Sequence, residues 1–139
     1  MIFMSQVGET FFTAIGCMDG RVQEPILAFG QKKFNAKYAD TITEAGLVGL
    51  LVKDNVDQVL LDSIKKKVLI SLEKHHSKGI IIHGHEECAG NPVEDGKHRE
   101  DTLEAAQIIK SFAPSDVSII PVFLKRDPAV DLGWLVEEI

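Results

Sequence analysis

The sequence has few of the features that mark secreted, membrane or nucleic-acid-binding proteins. Only two of its 139 residues are cysteine, which is too few for a disulfide framework. No apolar run approaches the ~20 residues of a membrane-spanning helix, and residues 1–6 lack the basic segment and long apolar stretch of a secretory signal. The formal net charge of −6 argues against nucleic acid or an anionic membrane as the main partner. These absences predict a soluble protein of the cytoplasm.

The sequence also lacks the features that indicate several domains or a nucleotide-binding site. The chain shows no internal repeat, low-complexity tract or shift in composition, so residues 1–139 are expected to form one domain. No glycine-rich dinucleotide loop or phosphate-binding lysine loop is present, so no motif supports a nucleotide site. Hydrophobic residues make up 45% of the chain, which is enough for an ordinary buried core.

Short apolar runs predict four strands. Residues 10–16 and 78–84 are nearly unbroken apolar runs, typical of strands that are buried on both faces. Residues 40–43 and 117–124 are weaker candidates, and Pro121 favours an edge position for the last of them.

Three helices are predicted between these strands. The clearest covers residues 56–72, with Asp54 or Asn55 as its cap, and the others cover residues 99–112 and part of 22–35. Strands that alternate with helices form right-handed crossovers and a mainly parallel sheet with helices on both faces. The predicted class is α/β.

The chemically informative residues follow two of these strands. Cys17 comes directly after the first strand, and His85 and Cys88 follow the strand at residues 78–84. In the sheet order 2-1-3-4 these two strands are neighbours. Because ligands of parallel α/β sheets bind at the carboxyl ends of the strands, the three side chains are expected to converge there. Two thiolates and one imidazole suit Zn²⁺, and three protein ligands leave a fourth position open for chemistry.

Asp19 and Arg21 lie within the first of these motifs. With two thiolates and a neutral histidine the zinc site is formally neutral, and Asp19 as a fourth ligand would make it anionic and closed. The Arg21 guanidinium can draw that carboxylate away through paired N–H donors and reopen the fourth position. The spacing therefore indicates a gate, or an anchor for a hydroxide.

Simpler explanations compete with a zinc site. A single cysteine is more often a small buried hydrophobe than a ligand. A redox pair is disfavoured because the cysteines do not form Cys-x-x-Cys, and a phosphate-binding cysteine loop is disfavoured because Gln23 stands where its arginine is needed. Among the remaining polar residues, His83 is expected to pack near the site, His98 to be solvated, and Glu87 could form a hydrogen bond near the metal.

The two motifs together resemble the β-class carbonic anhydrases over roughly residues 10–112. The matching residues are Cys17, Asp19, Arg21, Gly84, His85 and Cys88. The resemblance implies a four-stranded parallel core, zinc held by the cysteines and His85, and a dyad of Asp19 and Arg21 that frees and orients a metal-bound hydroxide. The implied reaction is the reversible hydration of CO₂ to bicarbonate, a lyase reaction. The implied assembly is a homodimer.

Some positions depart from the family pattern. Gly8 stands where the family commonly has a glutamine, and Glu44 stands where it has an arginine. Two alternatives therefore stay open: a non-catalytic zinc- or anion-binding homologue, and a hydrolase of another small electrophile such as a sulfur analogue of CO₂. A metal-free structural protein is a third. Trp134 could anchor a dimer interface, or its segment could fold back on the chain's own core.

Overall fold

A five-stranded sheet runs through the computed structural model, which describes residues 6–139. The strands are β1 (Phe11–Cys17), β2 (Tyr38–Glu44), β3 (Ile80–His85), β4 (Ile119–Arg126) and β5 (Trp134–Glu138). Their spatial order is β2-β1-β3-β4-β5, with the first four parallel and β5 antiparallel to β4. The prediction that the chain has no secretory signal depends mainly on residues 1–5. These residues lie outside the part of the chain that the structure describes.

The α/β class and the order 2-1-3-4 are confirmed, but the edge position expected for residues 117–124 is wrong. A fifth strand covers β4, so the sheet has one strand more than the four implied by the resemblance. Proline is tolerated in β4 because Pro121 precedes Val122, the first residue of β4 that pairs with β5. The Pro121 carbonyl still accepts the backbone N–H of Ile139 at 3.1 Å.

Four helices connect the parallel strands. They are α1 (Gly20–Phe34), α2 (Leu47–Leu51), α3 (Gln58–Lys74) and α4 (Asp95–Lys110). The cap of α3 is Asp57, whose carboxylate accepts the N–H groups of Val59 and Leu60, so the expected caps at positions 54 and 55 are wrong. Among residues 6–139, none of the helices has the length and hydropathy that a bilayer crossing would need.

Apolar side chains fill both faces of the sheet. All six residues of β3 are buried, which explains why its sequence is an unbroken apolar run followed by histidines. On one face, Ile15, Ile80 and Ile82 pack with apolar residues of α2, α3 and α4. On the other face, Phe12 and Ile81 belong to a cluster that includes residues of α1 and β5. Burial on both faces fixes the positions of the strand ends, where the polar motifs lie.

A chain of buried hydroxyl groups joins α3 to the middle of the sheet. Thr13 and Ser71 are 0% and 2% exposed, and their hydroxyl oxygens lie 2.7 Å apart. Ser71 Oγ donates to Asp40 Oδ2 at 2.7 Å, and Asp40 is the register partner of Thr13 on β2. The same Asp40 oxygen contacts Nδ1 of His75 at the end of α3. This network satisfies polar groups that would otherwise be costly to bury.

Replacing Ser71 by alanine is expected to destabilise the fold by about 1–2 kcal/mol, because Thr13 and Asp40 each lose a buried hydrogen bond. Urea unfolding of the wild type and the variant measures the difference. Ser63→Ala on the same helix is the control, since Ser63 is only half-buried. Equal losses for both variants would show that the network does not stabilise the protein.

His98 is buried, so the prediction that it is solvated is wrong. Helix α4 begins at Asp95, earlier than expected, and His98 therefore lies in its first turn with its side chain 2% exposed. The His98 ring lies edge-on to Phe123, with 5.6 Å between ring centroids. Gly84 makes room for it, because a Cβ at that position would lie 2.8 Å from His98 Cδ2.

The burial of His98 should make stability depend on pH. Burial, together with repulsion from His85, lowers the pKa of His98 from 6.5 to about 4. Between these pH values the unfolded chain binds a proton that the folded chain excludes, so stability falls as the pH falls. By pH 5 the loss attributable to His98 is about 2 kcal/mol.

His98→Gln is expected to remove this part of the pH dependence. Urea unfolding at pH 7 and pH 5, with both proteins treated with a chelator, isolates the contribution of His98. The wild type should lose about 2 kcal/mol more than the variant between the two pH values. An identical pH dependence would show that His98 is not held neutral in the folded state.

Candidate metal centre

The three predicted ligand residues lie together at the carboxyl edge of the sheet. Cys17 is the last residue of β1 and His85 is the last residue of the neighbouring parallel strand β3. Cys88 lies three residues later in the connection to α4, and all three residues are buried. Two strand ends and one short loop thus deliver the side chains to a single point.

The spacing of the ligand atoms fits a tetrahedral metal ion. The two sulfur atoms lie 3.7 Å apart, and all three ligand atoms lie within 4.8 Å of one another. Zn–S bonds of about 2.3 Å at tetrahedral angles separate two sulfurs by about 3.8 Å. A disulfide would need the sulfurs at about 2 Å, and both cysteines are free. The donor set and its spacing therefore fit zinc.

His85 is oriented for binding through Nε2. Its Nδ1 lies 2.6 Å from the carbonyl oxygen of Glu86, which can only accept, so Nδ1 carries the proton. Nε2 then holds a lone pair, is fully buried, and has no hydrogen-bond partner among residues 6–139. A buried acceptor without a partner is costly, and a metal ion would satisfy it.

The two thiols differ in acidity. Burial raises the pKa of Cys17, but its interactions with the His85 ring and with the backbone N–H of Gly46 outweigh burial and bring the pKa to about 7. Burial raises the pKa of Cys88, and the adjacent Cys17 raises it further. Burial lowers the pKa of His85, but the Cys17 sulfur, the Glu86 carbonyl and the Asp19 carboxylate together raise it more, so its net shift is upward. Without a metal, Cys17 is the more acidic of the two thiols.

Gly46 is a site residue that was not predicted from the sequence. Its N–H donates to Cys17 Sγ at 3.4 Å. Gly46 has a φ of +63°, and a Cβ there would lie 2.3 Å from the backbone carbon of Gly90. The close approach to Gly90 leaves room for glycine alone, and glycine also adopts this φ at no steric cost. The glycine at position 46, two residues after the end of β2, was the available signal.

Asp19 and Arg21 form an ion pair beside the three ligand atoms. Asp19 caps α1 by accepting the backbone N–H of Arg21, and it also accepts from the guanidinium, with 2.7 Å between Nη2 and Oδ2. Its Oδ2 lies 3.9 Å from Nε2 of His85. The Arg21 guanidinium holds the pKa of Asp19 at about 2. The carboxylate is therefore ionised, paired with arginine and close to the candidate metal position.

Gln23 holds the loop between Cys17 and Asp19. Its side-chain NH₂ donates to the carbonyl oxygens of both residues, at 2.9 Å each. In the sequence, Gln23 argues only against a phosphate-binding loop, and this contact was not predicted. The only sequence feature that could have indicated this contact is the position of residue 23 in the first turns of α1.

The other candidate residues lie around this centre. His83 is buried, as expected, and neither of its ring nitrogens has a hydrogen-bond partner among residues 6–139. Glu87 bonds to Arg21 and Arg126, while Glu44 is exposed at the end of β2. Trp134 packs with the chain's own core and lies edge-on to His85, with 6.1 Å between ring centroids. The segment of Trp134 thus folds back on its own chain.

The fold and these side chains define an α/β protein with a cysteine–histidine–cysteine group that could hold a metal ion. The sequence model of the family described as "Putative carbonic anhydrase" matches residues 7–133. The chain belongs to this family, and the resemblance drawn from the two motifs is confirmed.

A solved structure with a similar fold is the crystal structure of carbonic anhydrase from Streptococcus mutans. The TM-score is 0.62 at 18% sequence identity, and the comparison covers 97% of this chain and 86% of that chain. At this identity the similarity concerns the fold alone. No curated protein sequence matches this chain.

Proposed function

We propose that this chain is a zinc-dependent enzyme that reversibly hydrates CO₂ to bicarbonate. The observation that carries the proposal is the meeting of Cys17, His85 and Cys88 at one point, with the sulfurs 3.7 Å apart. Membership of the carbonic anhydrase family supports a small-molecule substrate of this kind. Zinc held by these three side chains would supply a Lewis acid that acidifies water and so provides a nucleophile at neutral pH.

Asp19 orients the reacting water in this proposal and does not carry its proton away. A carboxylate with a pKa of about 2 is ionised at neutral pH and is too weak a base to keep a proton. It is, however, a strong hydrogen-bond acceptor, and its Oδ2 stands 3.9 Å from Nε2 of His85. Arg21 holds both carboxylate oxygens and keeps them from moving towards the ligand atoms.

A cleft large enough for a small molecule lies beside Arg21, next to this centre. Its volume is about 470 Å³, which is within the range of ordinary small-molecule sites, and it lies between the start of α1 and the connection of β4 to β5. Its lining residues are Gly20, Arg21, Glu24, Pro25, Ala28, Leu132, Gly133 and Trp134. Arg21 and Trp134 are the two lining residues that also contact the candidate metal centre or its ion pair.

The proposal includes a cytoplasmic location and a homodimer. The dimer follows from the family resemblance alone, because Trp134 is used inside the chain and no longer supports an interface. Light scattering of the purified protein tests it, and a monomer at all concentrations would contradict it. The cytoplasmic location is tested by fractionating cells that express the native protein.

The deciding experiment measures zinc content and CO₂ hydration on the same purified protein. We expect about one zinc ion per chain and hydration that disappears when a chelator removes the metal. Zinc without hydration at any pH would overturn the reaction and favour a non-catalytic zinc protein, or a hydrolase if a sulfur analogue of CO₂ is consumed. A reduced, zinc-supplied protein that binds no metal would overturn the proposal as a whole.

A further inference from the structure

Glu87 has a backbone conformation that its residue type disfavours. It lies between His85 and Cys88, with a φ of +59°. In this left-handed region a side chain crowds its own backbone, and glycine would occupy it at lower cost. Strain of this kind at a functional site points to a role for the side chain.

The Glu87 side chain joins two arginines that come from different parts of the fold. Its Oε1 accepts from Arg21 Nη1 at 3.1 Å and from Arg126 Nη2 at 3.0 Å, and its Oε2 accepts from Arg126 Nε at 3.2 Å. Its backbone carbonyl also accepts from Arg21 Nη2 at 3.1 Å. One residue therefore holds together two guanidinium groups that would otherwise repel each other.

These guanidinium groups also lie over the indole of Trp134. The Cζ atoms of Arg126 and Arg21 lie 4.3 Å and 5.5 Å from the ring centroid. Arg21 thus has Glu87 and Trp134 as neighbours, and its remaining donors bond to Asp19. Glu87 therefore contacts Arg21, which in turn holds the Asp19 carboxylate.

Stability does not account for this arrangement. The side chains of Arg21 and Glu87 are 42% and 52% exposed, and ion pairs with such exposure contribute little to folding. The left-handed backbone at Glu87 opposes folding as well. What the ion pairs do provide is a defined orientation of Arg21 next to the candidate metal centre.

We propose that Glu87 is a positioning residue for the reaction. By fixing Arg21 against Trp134, it keeps the Asp19 carboxylate paired with arginine and out of the fourth position around the metal. This inference rests on the function proposed above. Glu87 itself need touch neither metal nor substrate, because it acts through Arg21.

The test compares Glu87→Gln and Glu87→Gly with a matched control, Glu138→Gln. Glu138 forms an ion pair with Lys33, and its side chain is 50% exposed, close to the value for Glu87. The glutamine variant removes the charge at nearly constant shape. The glycine variant also relieves the left-handed backbone, so it should not lower Tm, and a loss of function in it cannot be ascribed to unfolding.

The first readout is independent of activity. Trp134 is the only tryptophan of the chain, so its fluorescence in metal-free protein reports on the stacked guanidinium groups. Both Glu87 variants should shift its emission and make it more accessible to acrylamide, whereas Glu138→Gln should match the wild type. Unchanged fluorescence in both Glu87 variants would overturn the proposal.

The second readout is the hydration reaction of zinc-loaded protein. Both Glu87 variants should lower kcat about tenfold at an unchanged zinc content, because the carboxylate is no longer held in place. In an Asp19→Asn background, Glu87→Gln should cause no further loss, since it acts through Asp19. A kcat equal to that of Glu138→Gln, or a full additional loss in the double variant, would contradict the proposal. If wild-type protein binds zinc but hydrates no CO₂, the proposed function fails, and the fluorescence alone decides whether Glu87 fixes Arg21.

Discussion

Replacing Cys17 by serine is expected to reduce the zinc content of the purified protein from about one ion per chain to a small fraction of that value. Cys17 provides one of three ligand atoms, and its thiol has a pKa of about 7, so it gives up its proton easily when a metal binds. A serine hydroxyl keeps its proton at neutral pH and is a poor zinc ligand. The zinc affinity should fall more than about 100-fold, beyond the loss caused by changing groups that only support ligands.

Two measurements check this expectation. Metal analysis gives the zinc content, and the change in Tm on adding a chelator gives the stabilisation by bound metal. The wild type should lose stability with the chelator, whereas Cys17→Ser should not respond. Met18→Ser is the control, because Met18 is adjacent but its side chain is exposed and outside the ligand group. Full zinc content in Cys17→Ser would show that the metal is bound elsewhere.

The positions of the candidate ligands could be predicted because they depend on strand order and not on fine geometry. Residues 78–84 form a short apolar run bounded by glycines, which is typical of a strand buried on both faces, and Cys17 ends a similar run. Once these two strands are neighbours in a parallel sheet, their carboxyl ends meet. Cys17 and His85 therefore converge whatever the details of the loops.

The surroundings of the site could not be predicted, because they depend on contacts between distant segments. Glu87 and Arg126 are 39 residues apart, and nothing in either local sequence indicates that they meet. Strand β5, which brings Trp134 to the site, is short and only half-buried. Proline in a strand usually indicates the edge of a sheet, and Pro121 therefore indicated an edge strand. The rule cannot tell whether pairing with a further strand begins before or after the proline.

His98 illustrates how a small error in a helix boundary changes a functional interpretation. A helix beginning at Arg99 would leave His98 outside the helix and in solvent. The helix begins instead at Asp95, which turns His98 towards Gly84 and Phe123. Helix starts are the least certain part of a periodicity pattern, because the N–H groups of the first turn have no intrahelical acceptors and helix ends vary by one or two residues.

Asp19→Asn is expected to lower kcat for CO₂ hydration by about 100-fold while leaving the zinc content unchanged. Asparagine has the same shape and is an equally good helix cap, so the start of α1 should be preserved. It lacks the charge that Arg21 holds, and its NH₂ group donates where the carboxylate only accepts. The acceptor that stands 3.9 Å from His85 Nε2 is thereby lost or misdirected.

Asp57→Asn is the matched control, because Asp57 caps α3 in the same way and lies outside the ligand group. Both variants replace a capping carboxylate by its amide, so any general cost of that change appears in both Tm values. Only Asp19→Asn should lose activity. If both variants kept full kcat, Asp19 would have no role beyond capping α1, and its ion pair with Arg21 would be structural. If Asp19→Asn instead lost zinc, the carboxylate would belong among the metal ligands, and the proposed role of Arg21 in holding it away would be wrong.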